Sequence, residues 1–146
     1  MELLEGTSGL VIYLGLKLGG YLCWGYAGVR WLGRGSRRPV ALAVELGVAR
    51  LVLGWATGIV VAPAVIVAVR LDQVPLFYFT GFPLVRWFEW AVIQQLIPGA
   101  GGGAAAFVTG GSAAGRIWRA IGVVVSYLAD APFLLAGGFP HGRIFC

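Results

Sequence analysis

The sequence lacks several residue types on which common protein functions depend. It has no asparagine, one histidine and two cysteines, and the cysteines stand far apart at positions 23 and 146. Without asparagine there is no acceptor for N-glycosylation, and a single histidine cannot supply both axial ligands of a haem. Since the cysteines form neither a CxxC motif nor a ligand cluster, we expect no metal site and no cofactor.

Charge is also scarce. Charged residues make up 12% of the 146 residues and hydrophobic residues 59%, whereas charged residues in soluble domains average roughly 25%. The net charge of +5 comes from arginines that cluster between apolar segments. That pattern predicts membrane topology rather than a nucleic-acid partner. The composition therefore indicates an integral membrane protein whose first partner is the lipid bilayer.

Four apolar segments are long enough to cross a bilayer, which takes about 20 residues in a helix. They cover about residues 8–32, 40–69, 75–97 and 117–138. We therefore predict an all-α fold in a single membrane domain of residues 1–146. The predicted architecture is a polytopic transmembrane bundle of four helices.

The loops between these segments predict the orientation of the bundle. The loop after the first segment holds Arg30, Arg34, Arg37 and Arg38. The loop before the last segment ends with Arg116 and Arg119. Positive loops remain in the cytoplasm, so both termini are predicted to be non-cytoplasmic. The high glycine, alanine and arginine content is typical of a GC-rich genome, which favours a bacterial inner membrane.

One low-complexity stretch, residues 98–115, is rich in glycine and carries no charge. We expect a flexible cytoplasmic linker there. A phosphate-binding loop is not favoured, because the stretch contains neither GxxxxGK[ST] nor any lysine. A packed or re-entrant loop remains open, because an uncharged segment can enter a protein interior.

Apart from Arg30 and Arg119 near segment ends, six ionisable residues fall inside the predicted membrane segments, three basic and three acidic. They are Lys17, Glu45, Arg50, Arg86, Glu89 and Asp130. A charge inside a membrane costs about 2.5–3.5 kcal/mol on insertion scales, so such residues are usually paired or functional. The equal numbers of both signs favour pairing. Whether the pairs are structural or line an ion or substrate path stays open.

The depth of each charge predicts its partner. With a rise of ~1.5 Å per residue, Lys17 and Asp130 both lie about 12–13 Å from the outer ends of their segments. We therefore predict a Lys17–Asp130 pair. Ser126 and Tyr127 share the helical face of Asp130. We expect their hydroxyl groups to bond its carboxylate.

A second cluster is predicted near the middle of the membrane. Arg86 and Glu89 are one turn apart on the same face, and Arg50 reaches a similar depth from the opposite surface. We expect these three side chains to meet, with Glu45 at the inner edge of the cluster. Further polar candidates in these segments are Thr57 and Gln94.

Two GxxxG motifs, Gly15–Gly19 and Gly54–Gly58, predict close helix packing. Gly15 and Gly19 lie opposite Lys17 on their helix. We expect that face to contact another helix, in this chain, in a second copy or in another membrane subunit.

The sequence contains no nucleophile–base set, so no catalytic residue is predicted. Short loops, balanced charges and abundant glycine favour a structural or accessory subunit of a larger membrane complex. The alternative is a small transporter or channel with a polar cavity lined by Arg50, Arg86, Glu89 and Asp130. A third is a lipid-modifying membrane enzyme that uses Glu89 or Asp130 as its acid or base.

Overall fold

The structure is a computed structural model that describes residues 6–33, 35, 38–68 and 74–135. Within those ranges the chain is all-helical, which confirms the predicted fold class. The helices are α1 (Gly6–Trp31), α2 (Pro39–Ala68), α3 (Val74–Thr80), α4 (Phe82–Gln95), α5 (Ala104–Thr109) and α6 (Ala113–Leu135). Both termini and the first-loop residues Arg34 and Arg37 lie outside the described residues.

The long helices pack into a bundle around α1 and α4. Helix α1 packs against α2 and α6, and α4 packs against α6 and α2. Trp24 of α1 contacts Trp118 of α6, and Tyr13, earlier in α1, reaches Asp130, later in α6. Since the contacts run in opposite directions along the two helices, α1 and α6 are antiparallel. This arrangement brings the two predicted partners Lys17 and Asp130 to one level.

Glycines outside the GxxxG motifs allow the closest helix contacts. A Cβ atom added to Gly28 would lie 2.6 Å from Trp118 Nε1, and one added to Gly122 would lie 2.7 Å from the Trp90 ring. By contrast, a Cβ atom on Gly15 or Gly19 would meet nothing within 4 Å. The first GxxxG motif therefore packs against no helix in the described part of this chain. Residues Gly54 and Gly58 of the second motif are buried.

The third apolar segment, predicted as one helix, is broken in two. Helix α3 ends at Thr80, and α4 begins at Phe82 with a proline, Pro83, in its first turn. Proline has no N–H to donate to the carbonyl four residues back, and its ring clashes with that group. The Gly81 N–H still bonds the Phe77 carbonyl at 2.8 Å. The helical hydrogen bonding is therefore interrupted at Gly81, and the chain continues in α4.

The glycine-rich stretch 98–115 is not the flexible linker that composition predicts. It contains helix α5, which ends where Gly110 adopts the left-handed conformation at φ 88°. The Gly110 N–H bonds the Ala106 carbonyl at 2.9 Å. Trp87 of α4 donates from Nε1 to the Val108 carbonyl at 2.9 Å. The stretch is therefore a partly helical, mostly exposed loop that contacts α4.

Among the described residues, one helical segment is long and apolar enough to cross a membrane by length and composition. It covers Pro39–Val61 of α2. Helix α4 has only 14 residues, against the ~20 that a span needs.

Candidate functional site

Asp130 is the acceptor of a buried charge centre that joins α1, α3, α4 and α6. Its Oδ1 atom lies 3.0 Å from Lys17 Nζ and accepts a bond from the Tyr13 hydroxyl at 3.0 Å. Its Oδ2 atom accepts bonds of 2.5 Å from Arg86 Nη2 and from the Tyr78 hydroxyl. Each carboxylate oxygen thus faces one cation and one phenol. These five residues are called the Asp130 centre below.

The ion pair between Lys17 and Asp130 is the one that depth counting predicts. The Lys17 side chain is 0% exposed, so its ammonium does not extend along the helix to the bundle surface. The ammonium also lies 4.6 Å from the centre of the Tyr13 ring, which adds a cation–π contact. Tyr13 is one helical turn before Lys17 on the same face, and that spacing was the signal for its role.

Arg86 belongs to the Asp130 centre and not to the predicted cluster with Arg50. Side chains on a helix lean toward its N-terminus, so the Arg86 guanidinium extends toward Tyr78, whose hydroxyl lies 3.2 Å from Nη2. That lean separates it from Glu89, one turn later, whose carboxylate binds Arg50 instead. The Tyr127 ring lies 4.7 Å from the guanidinium carbon.

The predicted hydrogen bonds from the Ser126 and Tyr127 hydroxyl groups to the Asp130 carboxylate are not formed. The Ser126 hydroxyl donates to a carbonyl of its own helix one turn back at 3.0 Å and accepts a bond of 3.2 Å from Trp90 Nε1. Such back-bonding is common for serine in helices. The Tyr127 hydroxyl donates to the Tyr78 carbonyl at 2.8 Å. Both residues therefore position the rings and helices around the centre.

A second buried pair joins α2 to α4. Arg50 Nη2 lies 2.5 Å from Glu89 Oε2, and the two side chains are 1% and 9% exposed. The Arg50 guanidinium carbon lies 4.9 Å from the centre of the Tyr21 ring and 5.3 Å from that of the Trp90 ring. Two aromatic rings thus lie against the charge of Arg50. This is the Arg50–Glu89 pair.

Two predicted residues lie outside both sites. Glu45 is exposed and takes no part in the Arg50–Glu89 pair, because it lies more than one turn before Arg50 and on another face of α2. The Thr57 hydroxyl donates to the Leu53 carbonyl of its own helix at 2.8 Å. Neither side chain adds a polar group to the interior.

Arg119 is a buried charge that the sequence reasoning placed in a cytoplasmic loop. It is 0% exposed and donates to Gln94 Oε1 at 2.6 Å. It also donates to the carbonyls of Phe107 and Ala106 at 2.5 Å and 3.0 Å. The last carbonyls of a helix carry partial negative charge, so the end of α5 replaces a carboxylate. The predicted polar candidate Gln94 therefore accepts a hydrogen bond from Arg119.

The interior can hold charge and donate hydrogen bonds, but it offers little for metal binding or acid–base chemistry. Among the described residues, no group of three or more His, Cys, Asp or Glu could hold a metal ion. Both buried carboxylates are bound by cations. Among the described residues, the buried side-chain groups without a hydrogen-bond partner are donors on Lys17, Tyr21, Arg50 and Arg86.

Comparisons with protein-family models, with curated protein sequences and with solved structures found no match to this chain. Its function therefore has to be inferred from the geometry of its own side chains.

Proposed function

We propose that this chain is a polytopic protein of the bacterial cytoplasmic membrane, in which α1, α2, the α3–α4 pair and α6 make four crossings. Support comes from the pattern of exposure, which is the reverse of that in soluble proteins. Lys17, Arg50 and Arg119 are at most 1% exposed, whereas Ile59 and Leu128 are 74% and 66% exposed. In lipid, apolar side chains belong outside and charges face the bundle interior.

The proposed orientation places the first loop and the loop before α6 in the cytoplasm. Arg30 and Arg38, at the ends of α1 and α2, are exposed, as the positive-inside pattern requires. Fusions to the C-terminus test this orientation. Alkaline phosphatase fused there should be active, and a fluorescent protein that matures only in the cytoplasm should stay dark. The opposite result would reverse the topology.

Within the membrane, the chain acts as a structural or accessory subunit of a larger complex. The observation that carries this proposal is that both interior carboxylates are bound by cations and that aromatic rings lie against those cations. A transport path would need Arg86 to face open space, but Asp130, Tyr78 and Tyr127 surround its guanidinium. A lipid-modifying enzyme would need a free carboxylate, but Asp130 and Glu89 both hold cations.

The face for a partner helix lies on α1. Gly15 and Gly19 are exposed and have open space where a side chain would be. Small residues at this spacing let another membrane helix approach closely. Partner binding there would leave the interior charges undisturbed, because Lys17 points to the opposite side.

The proposal is tested by the double substitution Gly15→Leu and Gly19→Leu. Wild-type protein extracted in mild detergent should migrate in a complex larger than one chain, measured by native mass spectrometry. The double variant should fold with unchanged thermal stability but be released from that complex. The control is Ala120→Leu, an exposed position on α6, which should remain in the complex. A wild-type protein that is monomeric in membrane nanodiscs would contradict the proposed role.

A further inference from the structure

The interior contains hydrogen-bond donors without acceptors. Arg50 Nε and Nη1, Arg86 Nε and the Tyr21 hydroxyl are buried, and none has a hydrogen-bond partner in the described part of the chain. These residues are only 1–2% exposed. A buried donor left unsatisfied costs about 1–3 kcal/mol, and more when it is charged. A bound hydrogen-bond acceptor in the interior would therefore stabilise the fold by satisfying these donors.

The unsatisfied donors belong to neighbouring residues. The Tyr21 ring lies 4.9 Å from the Arg50 guanidinium carbon, and Lys17 and Arg86 bind the two oxygens of one carboxylate, that of Asp130. Lys17 is one turn before Tyr21 on the same face of α1. Its Nζ meets Asp130 as an ion pair at 3.0 Å but makes no well-directed hydrogen bond within the described residues. One acceptor in this region would therefore face several donors.

The same region carries surplus positive charge. Among the described residues, three buried cations, Lys17, Arg50 and Arg86, face two buried carboxylates, Glu89 and Asp130. These three cations exceed the two carboxylates by one positive charge. Arg119 is a fourth buried cation but is not part of this group, because it bonds to Gln94 and the end of α5. An uncompensated buried charge destabilises a fold strongly. Charge and hydrogen bonding thus require the same kind of partner.

We propose that a small monovalent anion of halide size, such as chloride, binds between Lys17, Tyr21, Arg50 and Arg86. A halide accepts hydrogen bonds from several directions and cancels one positive charge. Water would satisfy the donors but leave the charge. A divalent phosphate would overcompensate it and needs more room. The inference goes beyond the structural role proposed above, because it makes the stability of the bundle depend on an ion.

Thermal unfolding of the purified protein in detergent tests the site. Sodium gluconate is replaced stepwise by sodium chloride at constant ionic strength, and unfolding is followed by tryptophan fluorescence. Chloride should raise Tm in proportion to the logarithm of its concentration above Kd, by about 4 °C at ten times Kd. Bromide should act in the same way. Iodide should also quench Trp90, whose ring lies 5.3 Å from the Arg50 guanidinium carbon.

Two interior variants and one surface variant make the test specific. Lys17→Met removes the surplus charge while Arg86 still pairs with Asp130, so the chloride dependence of Tm should disappear. Tyr21→Phe removes one uncharged donor and should weaken chloride binding about tenfold. Arg30→Gln, at an exposed position, should bind chloride like the wild type.

Equal Tm values in chloride and gluconate would overturn the proposal and indicate that water alone occupies the site. Chloride dependence that persists unchanged in both Lys17→Met and Tyr21→Phe would also overturn it. If Lys17→Met does not fold, Tyr21→Phe and the iodide quenching decide the matter. The size of the native complex is a separate measurement, so failure of the anion site and failure of the subunit role are distinguishable.

Discussion

The Asp130 centre and the Arg50–Glu89 pair neutralise buried charge in different ways. Asp130 of α6 holds two cations and two phenols contributed by three other helices. In the other site, one cation meets one carboxylate, and aromatic rings supply the remaining contacts. Removing both members of the Arg50–Glu89 pair leaves no charge behind. The Asp130 centre has three charged residues, Lys17, Arg86 and Asp130, so a double substitution there always leaves one unpaired charge.

The largest effect is expected for Asp130→Asn. This change keeps the shape of the side chain but leaves Lys17 and Arg86 without a carboxylate. Breaking one buried pair costs about 3–5 kcal/mol, and here two cations lose their partner. We therefore expect a severe loss of folded protein, measured as the monodisperse fraction in detergent and as Tm.

The charge-free triple variant is the control for this prediction. Adding Lys17→Met and Arg86→Met to Asp130→Asn should recover much of the stability, because no unpaired charge remains. The double change Lys17→Met with Asp130→Leu should not, because it leaves Arg86 alone. An Asp130→Asn protein as stable as the wild type would show that the centre is not structural.

A smaller effect is expected for the Arg50–Glu89 pair. Arg50→Met should cost about 3 kcal/mol, since the isolated Glu89 can take up a proton instead of remaining charged. The double variant Arg50→Met with Glu89→Leu should return to within about 1 kcal/mol of the wild type. Reversible unfolding of all four proteins gives the coupling energy between the two residues. If the losses of unfolding free energy in the two single variants simply added in the double variant, Arg50 and Glu89 would not act as an isolated pair.

The smallest effect is expected for Tyr127→Phe. The change removes the hydroxyl bond to the Tyr78 carbonyl but keeps the ring near Arg86. The loss should be about 1 kcal/mol in unfolding free energy. Glu45→Gln, on the exposed surface, should change stability by less than about 0.5 kcal/mol. Equal effects of the two changes would mean that the tyrosine bond contributes nothing.

Depth counting succeeds for Lys17 and Asp130 and fails for Arg86, for one physical reason. The count places Cα atoms, and Lys17 and Asp130 lie on antiparallel helices at matching depths. The Arg86 side chain is long and leans along its helix, so its guanidinium lies closer to Asp130 than its Cα position suggests. Residue spacing alone does not predict whether Arg86 pairs with Glu89 or with Asp130, because both carboxylates are near it.

The break between α3 and α4 and the short helix α5 were not predicted from the sequence. Gly81 and Pro83 form a recognisable helix-breaking signal, but the continuous apolar run around them masks it. Helix α5 has no hydrophobic periodicity, because its residues lie within a glycine and alanine stretch. Its contacts with Arg119 and Trp87 come from distant positions, and no local pattern carries that information. The interior role of Arg119 could therefore be found only in three dimensions.

The distribution of the Asp130 centre along the chain has a consequence for biosynthesis. Tyr13 is made 117 residues before Asp130. At roughly 5–20 residues per second, the ribosome supplies the carboxylate on the order of ten seconds after Lys17 has left the exit tunnel. A nascent chain stopped before α6 would expose Lys17 and Arg86 with no counterion. Such a fragment should therefore be unstable until α6 is made and supplies Asp130.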